Sequence, residues 1–286
     1  MGKTTPTSAG FTLIEMAVVL AIVGVLAGGI LAGTKMIEAS RLKRVPMEAS
    51  AYASAFEQFK VKYSQYPGDY TEAARIWGRA DGGTDLYGSC ASAGSDISSS
   101  NPQATCNGNG DWRVIGNETF RAWQQMANAG LVTGKFNGLN GSGGSGHAVA
   151  GYNVPIGPLR GSAFNISTNG NKLSDATFFD GNYDNTLVFG KESTSAPVGN
   201  MLTGQQAYDI DLKFDDSLPG LGVIRTYKGT ALPGTNPNGR SCAGENGGDV
   251  TPTSAETAGY RRAVTGPLCF LYFMQGYGLQ HMRTNE

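Results

Sequence analysis

From Phe11 to Thr34 the chain reads almost entirely as apolar and small residues, and Met16–Thr34 carries no charge at all. A helix rising ~1.5 Å per residue over that stretch crosses most of a ~30 Å hydrocarbon core. One carboxylate, Glu15, stands at its N-terminal edge. A charge costs roughly 2.5–3.5 kcal/mol at the centre of a membrane helix and less near the interface, so Glu15 asks for a partner and a role. Further on the pattern turns amphipathic. Tyr52, Phe56, Phe59 and Tyr63 recur at helical spacing and mark a core-facing stripe. Pro46 interrupts the run and is expected to kink or open the helix. Gly24, Gly28, Gly29 and Gly33 fall at helical spacing, where they permit close helix approach and weaken the helix itself. Tyr66-Pro67-Gly68-Asp69 ends the helix with a turn signal.

The remaining pattern is mixed. Thr71–Trp77 reads as a short helix, and Glu118–Ala129 as a firmer one, with Phe120, Trp123 and Ala127 on one face and Gly130 past its end. Thr203-Gly204-Gln205-Gln206 is a capping box opening a helix through Ile210. Ala163–Ser167, Ala176–Phe179, Thr186–Phe189, Gly222–Tyr227 and Phe270–Met274 read as short strands. The segments 82–106, 134–161 and 229–257 are polar or rich in Gly and read as loops, and no repeat of 20–50 residues is present. The expected fold class is α+β: one long N-terminal helix, its second half packed on an antiparallel sheet, with long Gly-rich loops.

Composition narrows the picture. The 286 residues suffice for one large domain or two small ones, and 42 glycines point to extended loops. A net charge of −1 gives no basis for steering nucleic acid. Arg261-Arg262 and Arg41-Lys43-Arg44 read as solvated faces. The four cysteines form no CxxC pair, and His147 and His281 lie far from them, which argues against zinc. Of the three pairings four cysteines allow, the local one, Cys90–Cys106 with Cys242–Cys269, closes a loop within each region. Each bridge is then worth about 3 kcal/mol in the chain-entropy model, and disulfides imply export to an oxidising compartment. The alternative is four reduced, buried thiols.

Two stretches carry candidate metal chemistry. Asn107, Asn109 and Asp111 stand at positions 1, 3 and 5 of a twelve-residue span that ends on Glu118. That is the oxygen spacing of a calcium loop. Position 1 is Asn rather than Asp, and position 6 is Trp112 where such loops have Gly; the alternative is a plain turn into a helix capped by Asn117. Asp209, Asp211, Asp215 and Asp216 place four carboxylates close together, as a solvated loop, a cation site or an acid/base pair. No G-x-S-x-G elbow or GK[ST] phosphate loop is present, so no catalytic residues are assigned and the chain is read as a non-enzyme. No cofactor is required by this reading, and calcium is the one ion it admits.

Gly10-Phe11-Thr12-Leu13-Ile14-Glu15, a short polar leader before it and an apolar helix after it resemble the N-terminal methylation motif of type IV prepilins and type II secretion pseudopilins. A secretory signal differs, since its cleavage site follows a shorter apolar run. The resemblance implies a pilin-like fold, cleavage by a prepilin peptidase after Gly10, and N-methylation of Phe11. It also implies a filament assembled through the helix. Glu15 would then pair with a Phe11 ammonium, offsetting the desolvation of both charges and fixing register between subunits. Residues 1–10 become the leader, 11–34 the transmembrane and filament-core helix, 35–65 its amphipathic continuation, and 66–286 a periplasmic or extracellular globular domain. The implied partners are copies of the chain or other pilins, the peptidase, the assembly platform and the inner membrane. Pilin-like secretion subunits often carry calcium in a loop, which favours a cation at the Asp209–Asp216 stretch. One observation pulls the other way: Lys35, Arg41, Lys43 and Arg44 follow the apolar run, and loop charge alone would place them in the cytoplasm. The motif and cysteines outweigh it, because long domains translocate largely regardless of charge. The rival functions are a minor pilin or adhesin at a filament tip, and an anchored periplasmic enzyme.

Overall fold

The computed structural model describes residues 12–80, 101–142, 146–192, 199–228, 241–248 and 251–274. Met1–Leu42 and Lys43–Glu286 form two compact units. In the first, the described chain is the opening of helix α1, Leu13–Tyr63, and nearly every residue on it is exposed. Among the described residues none of its most apolar stretch is buried, which fits a membrane anchor. The helix also continues through Pro46, so the chain does not open there. Pro46 removes one backbone donor, but its ring is buried along with Val45, so packing on that side holds the turn.

The second unit holds the core. Val45, Ala49, Ala53, Phe56 and Phe59 of α1 are buried, the small residues letting the helix sit close. Tyr52 meets Trp123 edge-on at 5.2 Å and Phe164 at 5.1 Å, and Phe59 packs on Tyr63, Tyr70 and Trp77. The aromatic stripe therefore does what its spacing predicts. Trp77 belongs to α2, Ala73–Trp77, and Trp123 to α3, Glu118–Asn128. Helix α3 ends in a paired cap: Gly130, at φ 75°, donates to the Ala127 carbonyl and Leu131 donates to that of Met126.

Phe164 lies on β1, Ser162–Ser167, an edge of a four-stranded antiparallel sheet. The two-residue strands β2, Asn171–Lys172, and β3, Gly181–Asn182, make a small separate hairpin. Strand β4, Thr186–Lys191, pairs with β1 so that Phe164 faces Phe189. Buried from Thr186 to Gly190, β4 reads as a continuous apolar run because both its faces are covered. After helix α4, Gly204–Phe214, comes β5, Ile224–Arg225. Strands β6, Ala243–Glu245, and β7, Ala258–Tyr260, form a second hairpin, and β8, Leu271–Phe273, enters the main sheet in the order β1-β4-β8-β5. The α+β class, the long apolar helix and the antiparallel sheet stand, consistent with a pilin-like fold.

Two strand expectations change. Ala176–Phe179 is a bend rather than a strand. The Asp175 carboxylate accepts the Thr177 and Phe178 amides at 2.7 and 3.0 Å, so a side chain takes the hydrogen bonds a ladder would need. The loop expected over 229–257 contains β6, which pairs with β7 and packs Ala243 and Ala258 against Phe179. The Cys242–Cys269 disulfide ties that hairpin to the lead into β8. Cys106 is also disulfide-bonded, while Cys90 lies outside the described residues.

Candidate functional site

Helix α1 begins with reciprocal capping. The Thr12 amide and hydroxyl both donate to Glu15 Oε2, at 2.8 and 2.9 Å, and the Glu15 amide donates back to Thr12 Oγ1 at 3.3 Å. Met16 then donates to the Thr12 carbonyl at 3.2 Å, the first helical bond. Thr12-x-x-Glu15 is thus a capping box that satisfies backbone donors otherwise orphaned at the helix start, and it places a carboxylate at the positive end of the helix dipole. The pattern was legible in the sequence, where Glu15 was read as a membrane-edge charge and as the acid of the methylation motif, but not as a cap. Gly10 and Phe11 lie outside the described residues.

Past the cap, α1 is the one described helix long and apolar enough to cross a membrane, and none of its most apolar stretch is buried. A Cβ added at Gly24, Gly28, Gly29 or Gly33 would meet nothing within 4 Å. The fold of the single chain therefore makes no demand for these glycines.

In the globular unit two carboxylate trios converge, each with ligand atoms within 4.8 Å of one another. The first is Asp69, Asp111 and Glu118. Asp69, read in the sequence only as a turn residue, is buried. Its Oδ1 accepts the Gly110 and Asp111 amides and its Oδ2 that of Trp112. This nest holds Trp112 at φ 67°, the left-handed conformation that Gly supplies at position 6 of a calcium loop. Glu118 accepts from Asn109 and Ile115, and burial outweighs those bonds to push its carboxyl up to about 7. Burial also raises Asp69. Asn109 reaches Asp111, and Asn107 Oδ1 accepts the Ala74 amide, which fastens the start of α2. Asn117 is helical and makes no cap; its Oδ1 accepts from Asn140.

The second trio is Asp211, Asp215 and Asp216, at the end of α4. The expected capping box is present, with Gln206 donating its amide to Thr203 Oγ1 at 3.1 Å and Thr203 donating to Gln206 Oε1 at 2.9 Å. It sets the helix phase that turns Asp211 inward. Asp211 accepts from Tyr260 and Ser217, and burial pushes its carboxyl up to about 8, with Asp216 and Asp215 adding to the rise. Asp215 accepts the Val223 and Ile224 amides, which braces the entry to β5. Asp209 is exposed and instead takes a bond from Gln205. Both trios offer the hard oxygen donors a divalent cation prefers.

Among the described residues, a capped apolar helix whose most apolar stretch is nowhere buried fits the class of N-terminally anchored proteins. Residues 6–31 match the prokaryotic N-terminal methylation motif, the prepilin-type cleavage and methylation signature. That match supports a type IV pilin- or pseudopilin-like processed protein, and it implies a prepilin peptidase and pilus-type assembly in general. No curated protein and no solved structure matches the chain.

Proposed function

We propose that this chain is a structural subunit of a type IV pilus-like filament or a type II secretion pseudopilus. It is made as a precursor, cut between Gly10 and Phe11, methylated on Phe11, and polymerised through α1. Before assembly the helix anchors it in the inner membrane with the globular unit in the periplasm. One coincidence carries this reading: the methylation motif over residues 6–31 runs into the part of α1 that is apolar and exposed among the described residues. Burial in lipid first, and among neighbouring helices later, would relieve that exposure. Chemistry is done to this protein by a peptidase rather than by it. Calcium at either carboxylate trio would stiffen the globular unit without entering assembly chemistry, and a rise in Tm on adding calcium after chelation would report it.

The test is mass spectrometry of the N-terminal peptide in sheared filaments and in the remaining envelope. A peptide beginning at methylated Phe11 supports the reading. Abundance in the sheared fraction then assigns a pilus, and retention in the envelope a pseudopilus. An intact Met1–Gly10 leader overturns it.

A further inference from the structure

Between the charge-free stretch ending at Thr34 and the first buried residue of α1, Val45, the helix is almost wholly exposed. That interval is about 15 Å long at ~1.5 Å per residue. It holds four cations, Lys35, Arg41, Lys43 and Arg44, and one anion, Glu38. At about 100° per residue, Lys35, Lys43, Arg44 and Arg41 point near 0°, 80°, 180° and 240°, so they ring the helix. Arg44 also reaches Glu48, at 2.6 Å. Neighbouring copies of this helix would carry the same cations, whereas a layer of lipid phosphates carries the opposite charge. A ring of cations at the end of an apolar span matches a partner that surrounds the helix on every side.

We propose that these four residues form a collar that binds the headgroups of anionic phospholipids. The proposal rests on the membrane-anchor reading above. Long Lys and Arg stems lie along the outermost acyl region while their charged heads reach the phosphates, and the interval is long enough to cross a headgroup layer roughly 5–8 Å deep. The collar accounts for a charge distribution that orientation rules leave unexplained. These cations sit beyond the apolar span, on the side where the motif places the exported domain, because they hold lipid there.

The experiment is native mass spectrometry of the full processed chain released from nanodiscs of equal phosphatidylglycerol and phosphatidylcholine. The expected result is phosphatidylglycerol retained about tenfold over phosphatidylcholine, falling to parity in about 0.5 M salt, where the Debye length shrinks to roughly 4 Å. The variant K35Q/R41Q/K43Q/R44Q, with helicity unchanged by circular dichroism, should also fall to parity. The control K135Q/K213Q, which removes exposed cations of the globular unit, should keep the enrichment. Parity in the unaltered chain, or enrichment that survives the fourfold variant, overturns the collar. An unchanged lipid ratio with filaments lost assigns the cations to a subunit contact and overturns it too. A chain that stays in nanodiscs of neither lipid defeats the anchor reading itself, an outcome distinct from parity.

Discussion

Tyr260 on β7 donates its phenolic hydrogen to Asp211 Oδ2 on α4 at 2.6 Å, and both side chains are buried. The bond joins the β6–β7 hairpin to the helix that carries the second carboxylate trio. Burial raises the Asp211 carboxyl from 3.8 to about 8, so the folded chain holds a proton that the unfolded chain releases. The sign follows: the stabilising contribution is full below 3.8 and is lost as pH rises through about 8. With divalent ions chelated, Tm of the full chain in micelles should fall between about pH 5 and 8, and Asp211→Asn should flatten that fall. A slope unchanged in the variant would place the titration elsewhere.

Glu15 has two separable tasks, and one substitution divides them. Its carboxylate caps α1 through Thr12, and the methylation-motif resemblance implies a second task, pairing with a Phe11 ammonium, its own or a neighbour's. Glu15→Gln keeps an acceptor for Thr12 and loses the charge. Amide exchange at the start of α1 should stay close to that of the unaltered chain, while Glu15→Ala frays it at a cost of about 1 kcal/mol. Filament yield should collapse in both. Normal filaments from Glu15→Gln would remove charge pairing from the account.

The uneven legibility of this chain has a physical basis. The apolar span, the aromatic stripe from Tyr52 to Tyr63 and the Thr203 capping box rest on short-range periodicity, and periodicity is what a sequence displays. Asp69 joining Asp111 and Glu118, and Tyr260 reaching Asp211, depend on loops closing over long separations, which residue spacing does not encode. The segment 176–179 misled for a third reason. Its apolar content is real, since Phe178 and Phe179 are buried, but Asp175 captures the backbone and makes a bend. Asn107, picked out by spacing alone, also fastens the start of α2 through the Ala74 amide, a contact 33 residues away that spacing does not encode.

Asn185 should prove among the costliest polar residues to remove. It sits at φ 50°, accepts from the Val114 amide and the Thr168 hydroxyl, and donates to the Trp112 carbonyl. It thereby fastens the Asn107–Glu118 loop to the turn leading into β4. Asn185→Ala strands a buried amide and loses the local hydrogen bonding by which Asn tolerates the left-handed region, for a loss of about 3 kcal/mol. Asn185→Gly relieves the backbone but not the hydrogen bonds, and should recover about 1 kcal/mol of that loss. Chemical denaturation of the three chains checks the order, and equal losses in both variants would dismiss the backbone contribution.

The Cys242–Cys269 bridge spans 27 residues and both cysteines are buried. Closing a loop of that length in the unfolded chain is worth about 3.5 kcal/mol in the entropy model. Its removal should act locally first, because the bridge anchors a hairpin whose own ladder is three residue pairs long. In Cys242→Ala/Cys269→Ala, hydrogen exchange should therefore rise across Ala243–Glu245 and Ala258–Tyr260 before it rises in β4. The main sheet keeps its order through β4 and β8, whose pairing of Val188 with Tyr272 lies away from the bridge. Uniform loss of protection across both sheets would mean that the hairpin and the main sheet unfold as one cooperative unit.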